Sequence, residues 1–313
     1  MTSNLILFFI TLSISLAIGK PLINFLKSFR VKQTIREEGP QSHIQKKSQT
    51  PTIGGLIFLI PTFIVTMILC FLKKDFQTLD LLVVLGITLA MATLGFIDDY
   101  LKVVKKHNKG ISGWIKLFVQ FVVSLVIYCL YKEEASLFYL IWVFFVIAGA
   151  SNSYNLTDGL DGLVASISLL SLLGLSFLCL QSQKGELETF LVIFIGSLFG
   201  FLYFNKHPAK VFMGDTGSLA IGGAIGALAI VSRHELFLAF FATIPILEAL
   251  SVILQVASCQ LSKKFLGQDK RIFKMTPLHH HFELIGWKET EIVKRFFVFQ
   301  FICVVVGIIL VLV

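Results

Sequence analysis

Long apolar runs broken by short polar stretches make up most of this chain of 313 residues. A helix needs about 20 apolar residues to cross the bilayer core. Ten runs answer to that length, at roughly 4–26, 53–72, 79–97, 114–131, 136–151, 162–181, 188–204, 218–232, 236–258 and 296–313. The fifth, seventh and eighth are short or glycine-rich. The pattern predicts an all-α, polytopic integral membrane protein of about ten transmembrane helices. Residues 1–313 read as a single transmembrane domain whose cytoplasmic loops form the active site. The first run is too long for a leader and lacks a small-residue cleavage site after it, so it reads as a retained helix. Pro245 and Glu248 interrupt the ninth run. A proline there predicts a kinked or broken span that opens a lipid-facing groove near the site, with Glu248 supporting the fold or the break.

Composition agrees with that architecture. The chain is 56% hydrophobic and only 15% charged, with a mean hydropathy of +0.84, whereas a soluble domain is nearer a quarter charged. Of the 27 lysines and arginines, about 22 fall after odd-numbered runs and 5 on the opposite side. The positive-inside rule puts the first group in the cytoplasm and both termini outside. The net charge of +8 is therefore a topology signal with some attraction to anionic membrane lipid, not a nucleic-acid footprint. The five cysteines lie in or beside apolar runs without a C-x-x-C pair, and read as small core residues.

Against this background four polar segments stand out: Gly95–Tyr100, Asn152–Gly162, Val211–Ser218 and Pro277–Glu283. The topology puts all four on the cytoplasmic side, where they can form one site. Acids at the ends of apolar runs are costly unless they act. Adjacent Asp98 and Asp99 point different ways on a helix, so one can face a metal or substrate while Lys102 or a backbone donor holds the other; a plain charged helix end with an i,i+4 pair is the bland alternative. Asn152, Asn155, Thr157, Asp158 and Asp161 form an oxygen-rich cluster that suits Mg²⁺ with substrate phosphates, although Thr157 or Asp158 alone could be a helix cap. Asp215 and Ser218 sit where a helix N-terminus attracts phosphate, although an aspartate there is equally good as a cap. His279, His280 and His281 are consecutive and poorly placed as three zinc ligands, which favours hydrogen bonds to substrate oxygens over metal binding. Clustered carboxylates, cytoplasmic lysines and a lipid-soluble setting together point to Mg²⁺-dependent phosphoryl transfer onto a lipid phosphate.

These segments also carry a resemblance. Asp98-Asp99…Lys102, Gly110-Ile111…Lys116, Asn152–Leu163 (N-x-x-N-L-T-D-G-L-D-G-L) and Asn205–Ser218 are similar to the motifs of the polyprenyl-phosphate N-acetylhexosamine-1-phosphate transferase superfamily. The run Thr276–Trp287, with Arg295-Phe296 beyond, resembles its muramoyl-pentapeptide branch. The resemblance covers nearly the whole chain. It implies attack of undecaprenyl phosphate on the β-phosphate of UDP-N-acetylmuramoyl-pentapeptide, giving lipid I and UMP in peptidoglycan synthesis at the bacterial inner membrane, and it implies a homodimer.

Carried over by residue, the resemblance makes Asp215 a Mg²⁺ ligand, Asp98 the candidate base with Asp99 supporting it, and His280 a catalytic group. Lys47, Lys102 and Lys116 are implied to neutralise phosphates. Asn152, Asn155, Asp158 and Asp161 belong near the uridine diphosphate and metal, Asn205 and Phe212 at the nucleotide, and His279 and His281 at the pyrophosphate or sugar. The stretch Lys47–Gly55 departs from the pattern: Gln49 and Ile53 replace the usual Gly and Met, and one extra residue follows His43. Lys46 therefore competes with Lys47 for the phosphate-facing place. Two rival functions remain. A sister transferase using UDP-N-acetylglucosamine would share the aspartates but carry a different histidine loop. A cation transporter would place acids at the bilayer midplane and often show paired repeats, neither of which occurs here.

Overall fold

The computed structural model describes residues 2–28, 50–73, 76–105, 110–131 and 136–313, and helices are the only regular elements among them. Lys46 and Lys47 lie outside the described residues. In chain order the helices are α1 (Thr2–Ser28), α2 (Leu56–Leu72), α3 (Leu79–Lys105), α4 (Gly113–Leu130), α5 (Leu137–Thr157), α6 (Leu163–Gln181), α7 (Gly185–Asn205), α8 (Gly214–Ser232), α9 (Leu238–Phe241), α10 (Thr243–Leu266), α11 (Leu278–Leu284) and α12 (Glu289–Leu312). Among the described residues nine helices are long and apolar enough to cross a membrane, and α2, with 17 residues, is a shorter apolar helix. All ten expected runs are thus helical.

Several helices continue past their apolar runs. The α3 helix extends to Lys105, α5 to Thr157, and α8 begins at Gly214, four residues before the run. Hydropathy ends where polar residues begin, but the backbone hydrogen-bond ladder does not. These polar turns carry Asp98, Asp99, Lys102, Asn155 and Asp215, so the chemistry is mounted on rigid helix ends.

At the centre stands α8. Five of its nineteen residues are glycine, and nearly every residue is buried. Small residues let neighbouring backbones close in where lipid supplies no hydrophobic drive between helices. Its principal neighbours are α3 and α5, with α6 and α2 completing the surround. The α3–α8 crossing is so close that a Cβ on Gly95 would stand 2.1 Å from the Asp215 carbonyl oxygen. By contrast α1, α4 and α12 turn most of their apolar side chains outward, as lipid-facing helices do.

The ninth span is broken, but the break falls at Ala242 and not at Pro245 itself. Ala242 leaves helical geometry at φ −127° and ψ 29°, and Pro245 sits in the first turn of α10, where its missing N–H would be unpaired in any case. The Phe241 carbonyl, which that N–H would have met, accepts instead from Gln300 Nε2 at 3.0 Å. The same amide donates to Phe240 O at 3.0 Å and accepts from Ile244 N–H at 2.9 Å. One buried glutamine of α12 therefore satisfies three backbone groups freed by the break.

At the end of the bundle away from the four polar segments, Asp80 accepts from Tyr131 Oη at 2.5 Å and from Lys184 Nζ at 2.6 Å. Lys184 also donates to Val231 O at 2.7 Å. This cluster ties α3, α4, α8 and the α6–α7 turn together.

Candidate active site

The two adjacent aspartates do diverge. Asp99, on α3, turns to the start of α8: Oδ1 accepts from Asp215 N–H at 3.1 Å, and Oδ2 from Thr216 N–H at 2.9 Å and Thr216 Oγ1 at 2.7 Å. It acts as a carboxylate cap supplied by another helix, fitted to the positive end of α8. Asp98, fully buried, faces α4. Its Oδ1 accepts from Ile111 N–H at 2.6 Å.

Two lysines bridge Asp98 to Asp215. Lys102 Nζ lies 2.6 Å from Asp98 Oδ2 and 3.2 Å from Asp215 Oδ1. Lys116 Nζ lies 2.7 Å from Asp215 Oδ2 and 3.2 Å from Asp98 Oδ1. Asn155 Nδ2 adds donations to Asp215 Oδ1 and Ser218 Oγ, both at 3.0 Å. Asp98, Asp99 and Asp215 each place a carboxylate oxygen within 4.8 Å of the others, close enough to share a cation. The donor set is all oxygen, which fits a hard ion such as Mg²⁺ and not a thiolate-loving metal. Three carboxylates and two ammonium groups at one half-buried place can exchange partners with phosphate oxygens.

Other expected residues take more structural places. Asn152 donates its amide to Gln120 Oε1 at 3.1 Å and Ala148 O at 2.8 Å. Asn205 is buried; its side chain accepts from Gly162 N–H at 3.1 Å and donates to Val211 O at 3.0 Å, joining the Asp158–Gly162 turn to the loop before α8. Phe212 holds the Pro51–Gly55 loop through its backbone, donating to Pro51 O and accepting from Gly54 N–H, each at 2.8 Å. Asp158 is half-buried. Asp161 Oδ2 accepts from Ala209 N–H at 3.0 Å and lies 3.2 Å from His207 Nδ1, while Asp161 N–H donates to Glu289 Oε1 at 2.6 Å. Asp161, His207 and Glu289 form a second carboxylate–imidazole cluster within 4.8 Å, already knitted by these internal bonds.

The histidine segment is a short helix, α11, where a loop was expected. Its three histidines bond to different partners. His279 turns inward to Glu248, His280 Nδ1 meets Glu283 Oε2 at 2.8 Å, and His281 Nδ1 accepts from Lys274 N–H at 3.2 Å. No pair of them joins a metal-sized cluster among the described residues.

The sequence reading missed Thr216, Gln120, His207, Glu289 and Gln300. Gln300 had a signal, a lone amide in an apolar run. Glu289, at the head of its helix, had a weaker one.

Comparison with known proteins decides the family. A model of glycosyl transferase family 4 matches residues 81–233, the stretch that contains the aspartates, both bridging lysines and Asn155. The phospho-N-acetylmuramoyl-pentapeptide-transferases of Bacillus licheniformis and Bacillus subtilis are each 40% identical to this chain, over 98% of it and 98% of their own length. That of Shouchella clausii is 41% identical over 97% of this chain and 96% of its own. The chain belongs to the phospho-N-acetylmuramoyl-pentapeptide-transferase family. Membership of this family and the apolar helices make the chain a multi-pass bacterial membrane transferase, and the expectation of the muramoyl-pentapeptide branch holds against its rivals.

Proposed function

We propose that this chain catalyses phospho-N-acetylmuramoyl-pentapeptide transfer at the cytoplasmic face of the bacterial membrane. A phosphate oxygen of undecaprenyl phosphate attacks the β-phosphorus of UDP-N-acetylmuramoyl-pentapeptide. The bond from that phosphorus to the bridging oxygen breaks, UMP leaves, and lipid I remains in the membrane. The observation that carries this reading is the double bridge of Lys102 and Lys116 between Asp98 and Asp215.

In this reading the two ammonium groups pass from carboxylate to phosphate oxygens as substrates enter, and neutralise the charge that gathers on them. Asp215 is the proposed Mg²⁺ ligand, with Asp98 and Asp99 close by; when bound, the ion would supply charge neutralisation on the phosphates. Asp98 already accepts a backbone N–H and faces both lysines. That supports a main part in holding the lysines in place, with proton removal second, because a lipid phosphate is largely ionised at neutral pH. Asn155, which also donates to Ser218, steadies Asp215, and Asp158, Asp161, Asn205 and Phe212 are assigned to the nucleotide side. His280 and His281 are assigned to the sugar–pyrophosphate side, and Lys47 to phosphate. The groove expected beside the broken span is the proposed lipid entrance. Residues 1–313 act together as one catalytic domain in a homodimer, whose mass in mild detergent is the check.

The test supplies purified protein with undecaprenyl phosphate, Mg²⁺ and UDP-linked sugars, and measures UMP. Release with the muramoyl-pentapeptide donor is expected. Release with UDP-N-acetylglucosamine alone would overturn the donor assignment, and Mg²⁺-dependent turnover by Asp215→Ala would overturn the metal ligand.

A further inference from the structure

The sequence makes Glu248 a support for the broken span, and its place in the structure is more specific. It is fully buried, and His279 is 1% exposed. Glu248 Oε1 accepts from His279 N–H at 3.2 Å and lies 3.1 Å from His279 Nδ1. An oxygen that already accepts one N–H presents lone pairs to the ring as well, so Nδ1 carries the proton. The other ring nitrogen, Nε2, is buried without a partner among the described residues. It lies against Gly159, so close that a Cβ there would be 2.1 Å away.

The geometry points to Glu248 as a positioning residue: it fixes the His279 ring and its Nδ1 proton, so that Nε2 is the nitrogen that meets the UDP-linked substrate beside the Asp158–Gly159 turn. A buried polar atom left unpaired destabilises the fold. A site keeps such an atom when its partner arrives with the substrate. The bonds to Glu248 hold both the backbone and the ring of His279, so the histidine cannot rotate its free nitrogen away. Gly159 supplies the room, and the close contact sets the histidine helix against the turn that follows Asn155, the residue that bonds Asp215. The pairing of nearest rings, His279 and His280 with centroids 4.2 Å apart, further limits the rotation. This assignment rests on the transferase reading for its substrate, but its tautomer claim stands without it.

Two measurements test it. The first is ¹⁵N NMR of histidine-labelled protein without substrate, with His279 assigned by its loss in His279→Asn. A protonated Nδ1 is expected; a bare Nδ1 with Nε2–H overturns the proposal whatever the enzyme does. The second is UMP release. Glu248→Gln keeps an oxygen that can accept both N–H groups, and activity within about threefold of the parent is expected. Glu248→Leu frees the ring, and a loss of about 10–100-fold in kcat is expected, as for a catalytic group displaced by about 1 Å. The loss must vanish in a His279→Ala background, so the double variant is no worse than His279→Ala alone. Equal losses in the Gln and Leu variants, or additive losses in the double variant, overturn the positioning role. If Glu248→Leu does not fold, the Gln variant and the NMR decide. If the parent enzyme does not turn over the muramoyl-pentapeptide donor, the function proposed above fails and the NMR alone decides this inference.

Discussion

Gly95→Ala should separate the site from its scaffold. Gly95 lies on α3 one turn before Asp98 and Asp99, where α3 meets the first turn of α8. An added Cβ would sit 2.1 Å from Asp215 O, 2.4 Å from Asp215 C and 2.6 Å from Thr216 N. All three are backbone atoms, so no side chain can swing aside. Ordinary contact begins near 3.4 Å, and the helices must therefore part by roughly 1 Å, the scale on which misplacement costs about 10²-fold in rate. That loss corresponds to about 2.7 kcal/mol in the barrier, and overpacking of this kind destabilises folds by about 1–3 kcal/mol. Gly86→Ala, on the same helix with nothing within 4 Å, is the matched control and should leave both quantities nearly unchanged. The assay is the initial rate of UMP release with both substrates saturating, alongside thermal inactivation in detergent. A Gly95→Ala enzyme within about threefold of Gly86→Ala would refute the claim that this crossing sets the distance between Asp98, Asp99 and Asp215.

Three further perturbations follow from the same geometry. Lys116→Met removes one of the two bridges between Asp98 and Asp215 and should lower kcat/KM for the UDP donor by about 10²–10³-fold; steady-state kinetics that show less than a fivefold change would remove Lys116 from the site. Asp99→Asn swaps one acceptor oxygen for an NH2 group, so the side chain cannot accept from Asp215 N–H and from the Thr216 donors together; this should cost about 1–3 kcal/mol of stability, read as faster loss of structure on heating. Gln300→Leu leaves the Phe241 carbonyl and the Ile244 N–H without their partner, at about 1–3 kcal/mol each, while the Phe240 carbonyl keeps the Thr243 hydroxyl. Its thermal inactivation should be at least tenfold faster, and an unchanged half-life would mean the break at Ala242 is held by something else.

The hydropathy pattern gave the ten runs because lipid imposes a plain rule on length and polarity. It also located the four polar segments, since charge at a bilayer edge is conspicuous. It could not show where the helices really stop. Lys105, Thr157 and Gly214 lie beyond the apolar runs, and backbone hydrogen bonding continues there without an apolar signature. Nor could it tell which acids face a ligand and which hold a neighbouring chain. Asp98 and Asp99 are adjacent and identical, and only the packing of α4 and α8 gives one to the lysines and the other to backbone amides. Asn205 and Asn152 read as substrate ligands, and nothing in the sequence hinted that their amides also bond within the protein, to Gly162, Val211, Gln120 and Ala148. Pro245 foretold a break, but its missing N–H acts four residues back, so the discontinuity appears upstream.

The sheltered position of α8 has a consequence for how this protein adapts to different membranes. Bilayer thickness acts on a protein through the helices that touch lipid, here chiefly α1, α4 and α12. The helix that carries Asp215 has almost no such contact, and its two ends are fastened to protein, by Asp99 at one and by Lys184 at the other. Changes in acyl-chain length or lateral pressure can tilt the outer helices while the catalytic helix keeps its depth. Evolution can then retune the lipid-facing side for a thicker or thinner membrane without touching the residues that handle phosphate.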